Sequence, residues 1–256
     1  MTMRGATAAL VLVPALALAH GGAPPTPATL GDARVLEPGV VVPLGLTAIC
    51  WLAGVIALWR DAGAGRGVRA TEAASFVAGW VVLAIALASP LHPLGRAVFS
   101  AHMTQHELLM LVAAPLLVAG RPLVPFLHGL PRSWRAPLAR FFRRRPLASA
   151  WDALTHPLVA WAVHALTLWA WHAPRLYTAA VAHEGVHAAQ HASFLAGALL
   201  FWWSLLRRRG RWAGTGAAVL YLFTTSLHAG ALGAILTFAP RPLYPGYVAT
   251  AASWGL

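Results

Sequence analysis

Apolar runs close to twenty residues long recur six times in this chain, at about 39–59, 73–89, 101–119, 156–173, 187–206 and 215–238. A run of that length, wound as a helix, matches the hydrocarbon thickness of a bilayer. In lipid, every backbone N–H and C=O must find its partner within the protein, which leaves helices or closed barrels. The period-two alternation of a barrel strand is absent. The expected fold is therefore all-α: a polytopic transmembrane helical bundle with six spans. Composition agrees, because only 10% of the residues are charged, against about 25% in a soluble domain.

The charge pattern sets an expected orientation. All nineteen basic residues are arginine, against seven acidic ones. Nucleic acid is a poor partner for them, since they fall in short blocks between apolar runs and do not line one face. Fourteen lie in alternate loops: Arg60, Arg66 and Arg69; Arg121, Arg132, Arg135, Arg140, Arg143, Arg144 and Arg145; then Arg207, Arg208, Arg209 and Arg211. The opposite side carries Arg34, Arg96, Arg175 and Arg241. The arginine-rich side is expected to be cytoplasmic. Residues 1–19, "MTMRGATAALVLVPALALA", read as a signal peptide ending in Ala-Leu-Ala, which would place the mature N-terminus outside. Residues 20–38 form a Pro/Gly-rich periplasmic lead-in, and 39–256 the transmembrane domain. The single cysteine, Cys50, lies in an apolar run and reads as a small buried residue.

Polar residues are scarce enough that their placement carries information. The only two glutamines occur in the same pattern, His-x-x-Gln-His: His102, Gln105 and His106, then His187, Gln190 and His191. Each cassette opens a run that travels from outside to inside. Residues three and four apart share a helix face, so each cassette points one way, and His183 would extend the second stripe if its helix begins early. Polar groups within a membrane span are costly and usually face the protein interior. Of the twelve histidines, only His128 and His156 fall on the arginine-rich side. His172 ends the fourth run, and His92 lies in the outer loop before the third.

Paired imidazoles at this spacing suit a metal, with copper, zinc and iron all accepted by the donor type. Met103 adds a possible thioether, which favours Cu(I). The expected ligand set is His102, His106, His187 and His191, with Met103 and His172 in reserve. Gln105 and Gln190 are expected to fix histidine tautomers, and Glu107 to orient a histidine or relay a proton. His20 would be an amino-terminal chelator if the signal peptide is removed. No catalytic Ser-His-Asp set, phosphate loop or carboxylate pair is evident, so no enzyme activity is expected. The chemical rival is bis-histidine haem held by His164 and His228. A copper transporter would need polar groups through the full depth, and the inner halves of these runs are apolar.

Several blocks resemble one family in order and spacing: "HMTQHELLMLVAAPLLVAGRP", "HALTLWAWHAPRLY", "HAAQHASFLAGALLFWW" and "GALGAILTFAPRPLYPGY". Together they are similar to the CtaG family of caa-type cytochrome c oxidase assembly factors, over roughly residues 80–256. The resemblance implies a multi-pass protein of the bacterial inner membrane that supports maturation of a haem–copper oxidase. It carries the family's histidines onto His102, His106, His172, His187 and His191. Implied partners are an oxidase subunit, the bilayer and a periplasmic copper chaperone. Family members usually continue past a "WGL" block to a further apolar span. Here "WGL" closes the sequence, so a seventh span is expected to be missing, and residues 239–256 read as an outer loop.

Overall fold

The computed structural model describes residues 23–33, 35–207 and 214–256. The expected signal peptide, His20, Arg34, Arg208, Arg209 and Arg211 lie outside the described residues. Within them the secondary structure is helical, with no strand.

Helix α1 (Pro38–Ala62) begins on a proline, whose missing N–H is no loss in a first turn. It stops at Gly63, whose φ of 94° suits a residue without a side chain. Helix α2 (Ala70–Leu87) is started by Glu72, which accepts the Arg69 N–H at 3.0 Å. The short α3 (Leu91–Ala97) leads into α4 (Phe99–Glu107), which carries the first cassette. Then come a π-helical turn, Leu108–Ala113, and α5 (Ala114–Ala119). Helix α6 (Leu123–Gly129) turns off this axis by 69°. Helices α7 (Arg132–Phe142) and α8 (Arg145–Leu154) are short and hold much of the arginine block. Helices α9 (Pro157–His172), α10 (Pro174–Ala182), α11 (Glu184–Arg207) and α12 (Thr215–Phe238) follow, and α13 (Gly246–Ala252) closes the order.

Two contacts hold the frame around the site. Helix α6 folds back on α1 at near-backbone distance: a Cβ on Gly54 would sit 1.8 Å from the Pro125 carbonyl oxygen, and one on Gly129 would sit 2.0 Å from that of Cys50. Small residues permit such approaches where lipid supplies no hydrophobic drive between helices. The second contact is α11 against α9, α5 and the π turn. Its buried stripe runs His187, Gln190, His191, Phe194, Ala198, Phe201 and Ser204, the spacing of one helix face.

Three described helices, α1, α2 and α12, are long and apolar enough to cross a membrane, and the bent Phe99–Ala119 and Leu123–Gly129 pair makes a fourth. That is fewer than the six spans expected. Helix α9 has 16 residues, about 24 Å at 1.5 Å per residue, short of the ~30 Å core. Helix α11 has 24 residues, but its first third is the polar cassette. The large apolar side chains left outward, among them Ile49, Leu166, Phe223 and Phe238, form a surface that needs lipid or a partner. Residues 239–256 are more than a loop: they contain α13, and their tyrosines pack back on the helices.

Candidate metal centre

The two cassettes meet. Helix geometry puts His102, Gln105 and His106 on one face of α4 and His187, Gln190 and His191 on one face of α11. Those faces are opposed. The His102 and His187 rings stack, with centroids 5.1 Å apart and planes 18° apart. The His106 and His191 rings meet edge-on at 5.2 Å. Within each helix the rings are 4.4 Å and 4.2 Å apart. All four side chains are buried, none more than 7% exposed. Ring nitrogens of His102, His106 and His187 all lie within 4.8 Å of one another, a spread that one ion could bridge.

Most of the ring nitrogens of these four histidines lack a hydrogen-bond partner among the described residues. Among the described residues, His102 Nε2, both nitrogens of His106, His187 Nε2 and His191 Nε2 are buried without a hydrogen-bond partner. Leaving a buried polar atom unpaired costs about 1–3 kcal/mol each. Each neutral ring offers one lone-pair nitrogen, so the four histidines make a set of imidazole donors that a metal ion could satisfy.

The remaining sequence candidates divide. His172, at the end of α9, lies 6.4 Å from His106, ring to ring. Its Nδ1–H donates to the Leu168 carbonyl at 2.7 Å, which leaves Nε2 as its lone-pair nitrogen. Met103 is half-buried and packs against the tyrosines, not among the imidazoles. Glu107 and His183 are exposed. His164 and His228 form a separate pair with ring centroids 6.4 Å apart. Phe201 lies against His164 and Trp161 against His228, at 4.9 and 5.4 Å.

Gln105 acts on a histidine outside its own cassette. Its amide nitrogen donates to the Ala86 carbonyl at 2.6 Å and to His92 Nδ1 at 2.9 Å. A carbonyl only accepts, so the amide orientation is fixed, and His92 Nδ1 must accept as well. The ring proton of His92 is then on Nε2, which faces Glu37 Oε1 at 3.8 Å. His92 is buried and stacks on His187 at 5.4 Å. Burial holds it below the ordinary imidazole range, while the Glu37 carboxylate pulls the other way. Gln190 is fully buried beside His102, and among the described residues neither atom of its amide has a hydrogen bond of good geometry.

Sequence reasoning placed His92 near the others without giving it a role. It missed the aromatic cap altogether. Tyr177 stacks on Tyr244 at 3.7 Å and lies 5.1 Å from the His102 ring. The Tyr244 hydroxyl donates to the His172 carbonyl at 2.7 Å, and the Tyr247 hydroxyl to the Gly95 carbonyl at 2.8 Å. Gly95 itself lies against the cassette: a Cβ there would be 3.3 Å from the His102 Cα. The only hint in the sequence was that three of the four tyrosines lie close to prolines.

The pattern of one family, described as "Cytochrome c oxidase caa3 assembly factor (Caa3_CtaG)", matches residues 49–256, which takes in both cassettes and the tyrosine cap. The chain belongs to the CtaG family. No curated protein and no solved structure gives a match. Membership ties this CtaG chain to assembly of a cytochrome c oxidase and agrees with the resemblance read from the four sequence blocks.

Proposed function

We propose that this CtaG-family chain binds copper, as Cu(I), between the cassettes of α4 and α11 and supports its insertion into an oxidase subunit. The role is that of an assembly factor without catalysis of its own. The observation that carries the reading is the cluster of buried, unpartnered imidazole nitrogens from His102, His106, His187 and His191. Neutral imidazoles suit copper and zinc alike; a part in building a haem–copper oxidase selects copper. His172 Nε2 is a reserve ligand, and Met103, packed against the tyrosines, is left out of the set. A copper chaperone on the periplasmic side would be the donor.

In this reading α9 and α11 complete a six-span bundle. The polar stripe of α11 faces protein, not lipid, so its low hydropathy is compatible with crossing. The histidine centre then lies at the periplasmic face of the bacterial inner membrane, with the arginine blocks cytoplasmic.

Metal analysis of the purified chain tests the proposal. The wild type is expected to carry copper, and a His106→Ala plus His191→Ala variant to lose it together with oxidase maturation in cells. Unchanged copper content in the variant would overturn the assignment. A second reading, haem held by His164 and His228, draws on the unpartnered His164 Nδ1 and His228 Nε2. A Soret band that disappears with His164→Ala would favour it. The aromatic packing on both rings makes it the weaker of the two.

A further inference from the structure

The histidine cluster has two cavities beside it, and they differ in chemistry. One, of about 540 Å³, runs between α1, α2 and α11 from His187 and His191 down to Trp151 and Trp203. Its walls are apolar for nearly the whole length, with charged groups only at the outer end. The other, of about 310 Å³, lies on the outer side, between the start of α1, α3, α10 and the start of α11. Its floor includes His102 and His187, 1% and 7% exposed, whose Nε2 atoms lack partners. Its rim carries Glu37 and Glu184, with His92 and Arg96 on the α3 wall.

Carboxylates are rare in this chain, seven among 256 residues, yet two of the seven meet at this opening. Glu37 stands at the N-cap of α1, but its side chain makes no capping hydrogen bond. It points instead to His92 Nε2 at 3.8 Å, on the wall of the same opening.

We propose that the smaller cavity is the entrance by which a metal cation reaches the histidine centre, with Glu37 and Glu184 drawing the cation in. The inference rests on the copper reading above and adds the route. Negative groups at the rim of a concave, low-dielectric opening focus the field and raise the local concentration of cations. Carboxylate oxygen suits hard ions and holds Cu(I) weakly, whereas imidazole takes it readily. The rim therefore steers and releases, and the floor retains. Arg96 lines the same opening with the opposite charge and must slow the cation. The apolar cavity shares Glu37, His92, Glu184 and His187 with this opening but lacks Arg96 and His102, so the effect of Arg96 tells the two paths apart.

Opposite charges predict opposite effects, which makes the test specific. Full-length protein in detergent would be rapidly mixed with Cu(I) as its monocationic acetonitrile complex, and unbound metal trapped with a chromogenic chelator at set times. At low ionic strength the Glu37→Gln plus Glu184→Gln variant is expected to load about tenfold more slowly than wild type. Arg96→Gln is expected to load faster. Near 1 M salt, where screening acts within about 3 Å, the three rates converge. Final copper content is the same in all three, which separates steering from ligand loss and from misfolding. Wild-type rates in the carboxylate variant, or slowing by Arg96→Gln, would overturn the route alone. A wild-type chain that takes up no Cu(I) would overturn the route and the copper centre together.

Discussion

The amide nitrogen of Gln105 has two hydrogens, and the fold supplies two acceptors for them, the Ala86 carbonyl and His92 Nδ1. One side chain thus joins α2, α3 and α4 and sets which nitrogen of His92 carries its proton. Gln105→Leu would keep the volume but leave both acceptors buried and unpaired. The expected loss is about 1–3 kcal/mol per acceptor, read as a lower melting temperature in detergent. Gln105→Glu tests the same bond differently. A carboxylate cannot donate and would be buried as a charge, so the Ala86 carbonyl loses its partner while the shape is kept, and stability should fall by more than in Gln105→Leu. A melting temperature unmoved in both variants would remove Gln105 from this role. The part of the site that could be read from residues alone was the part encoded by local spacing. His-x-x-Gln-His in an otherwise apolar chain fixes a common face without any tertiary knowledge. The partner of Gln105 could not be read that way, because His92 is 13 positions away and on a different helix.

At the scale of helices, the crossing of α1 and α6 is set by contact between backbones at Gly54 and Gly129. Adding one methyl group at Gly54 meets the Pro125 carbonyl, which is backbone and cannot rotate away. Gly54→Ala is expected to cost about 1–3 kcal/mol through forced separation of the helices. Gly45→Ala, on the same helix with open space around it, should be neutral or slightly stabilising, since alanine is the better helix former. Thermal unfolding of the two variants side by side gives the comparison, and equal melting temperatures would contradict it. The helices themselves were largely legible: the runs at 39–59 and 215–238 correspond to Pro38–Ala62 and Thr215–Phe238. The π turn was not, because a phase change inside an apolar run leaves the apolar character of every residue intact. Its Met110 carbonyl accepts the Trp202 indole N–H at 2.9 Å, a pairing across 92 positions that no local pattern announces.

For the molecule as a whole, charge asymmetry gives orientation a measurable form. If the arginine blocks are cytoplasmic, exposed positions at the two ends of the bundle should differ in access. With Cys50 replaced by Ala, His183→Cys should react with a membrane-impermeant maleimide in intact spheroplasts. Arg140→Cys should react only after lysis. The reverse pattern would invert the topology. The tyrosine cap belongs to this scale too. It brings Tyr177 of α10 against Tyr244 and Tyr247 of the last segment, and the Trp254 indole N–H reaches the Pro25 carbonyl at 3.2 Å. Sequence reading took residues 239–256 for a bare loop because a helix of seven residues, barely two turns, gives little periodic signal. Distance along the chain hid their contact with the histidines.

The π turn just below the first cassette has a consequence for how this centre can be altered. Its wider ring takes up more residues than an α turn does. Deleting one residue from Leu108–Ala113 would let ordinary α-helical bonding close over the gap, so the backbone would lose little. A π turn spreads one rotation over more residues than an α turn, so these six turn through about the angle that five would in α-helix, and His102 and His106 would keep their bearing towards α11. The same deletion in α5, where no residue is in surplus, would turn that half of the centre through about 100° and leave every imidazole present on the wrong compass bearing.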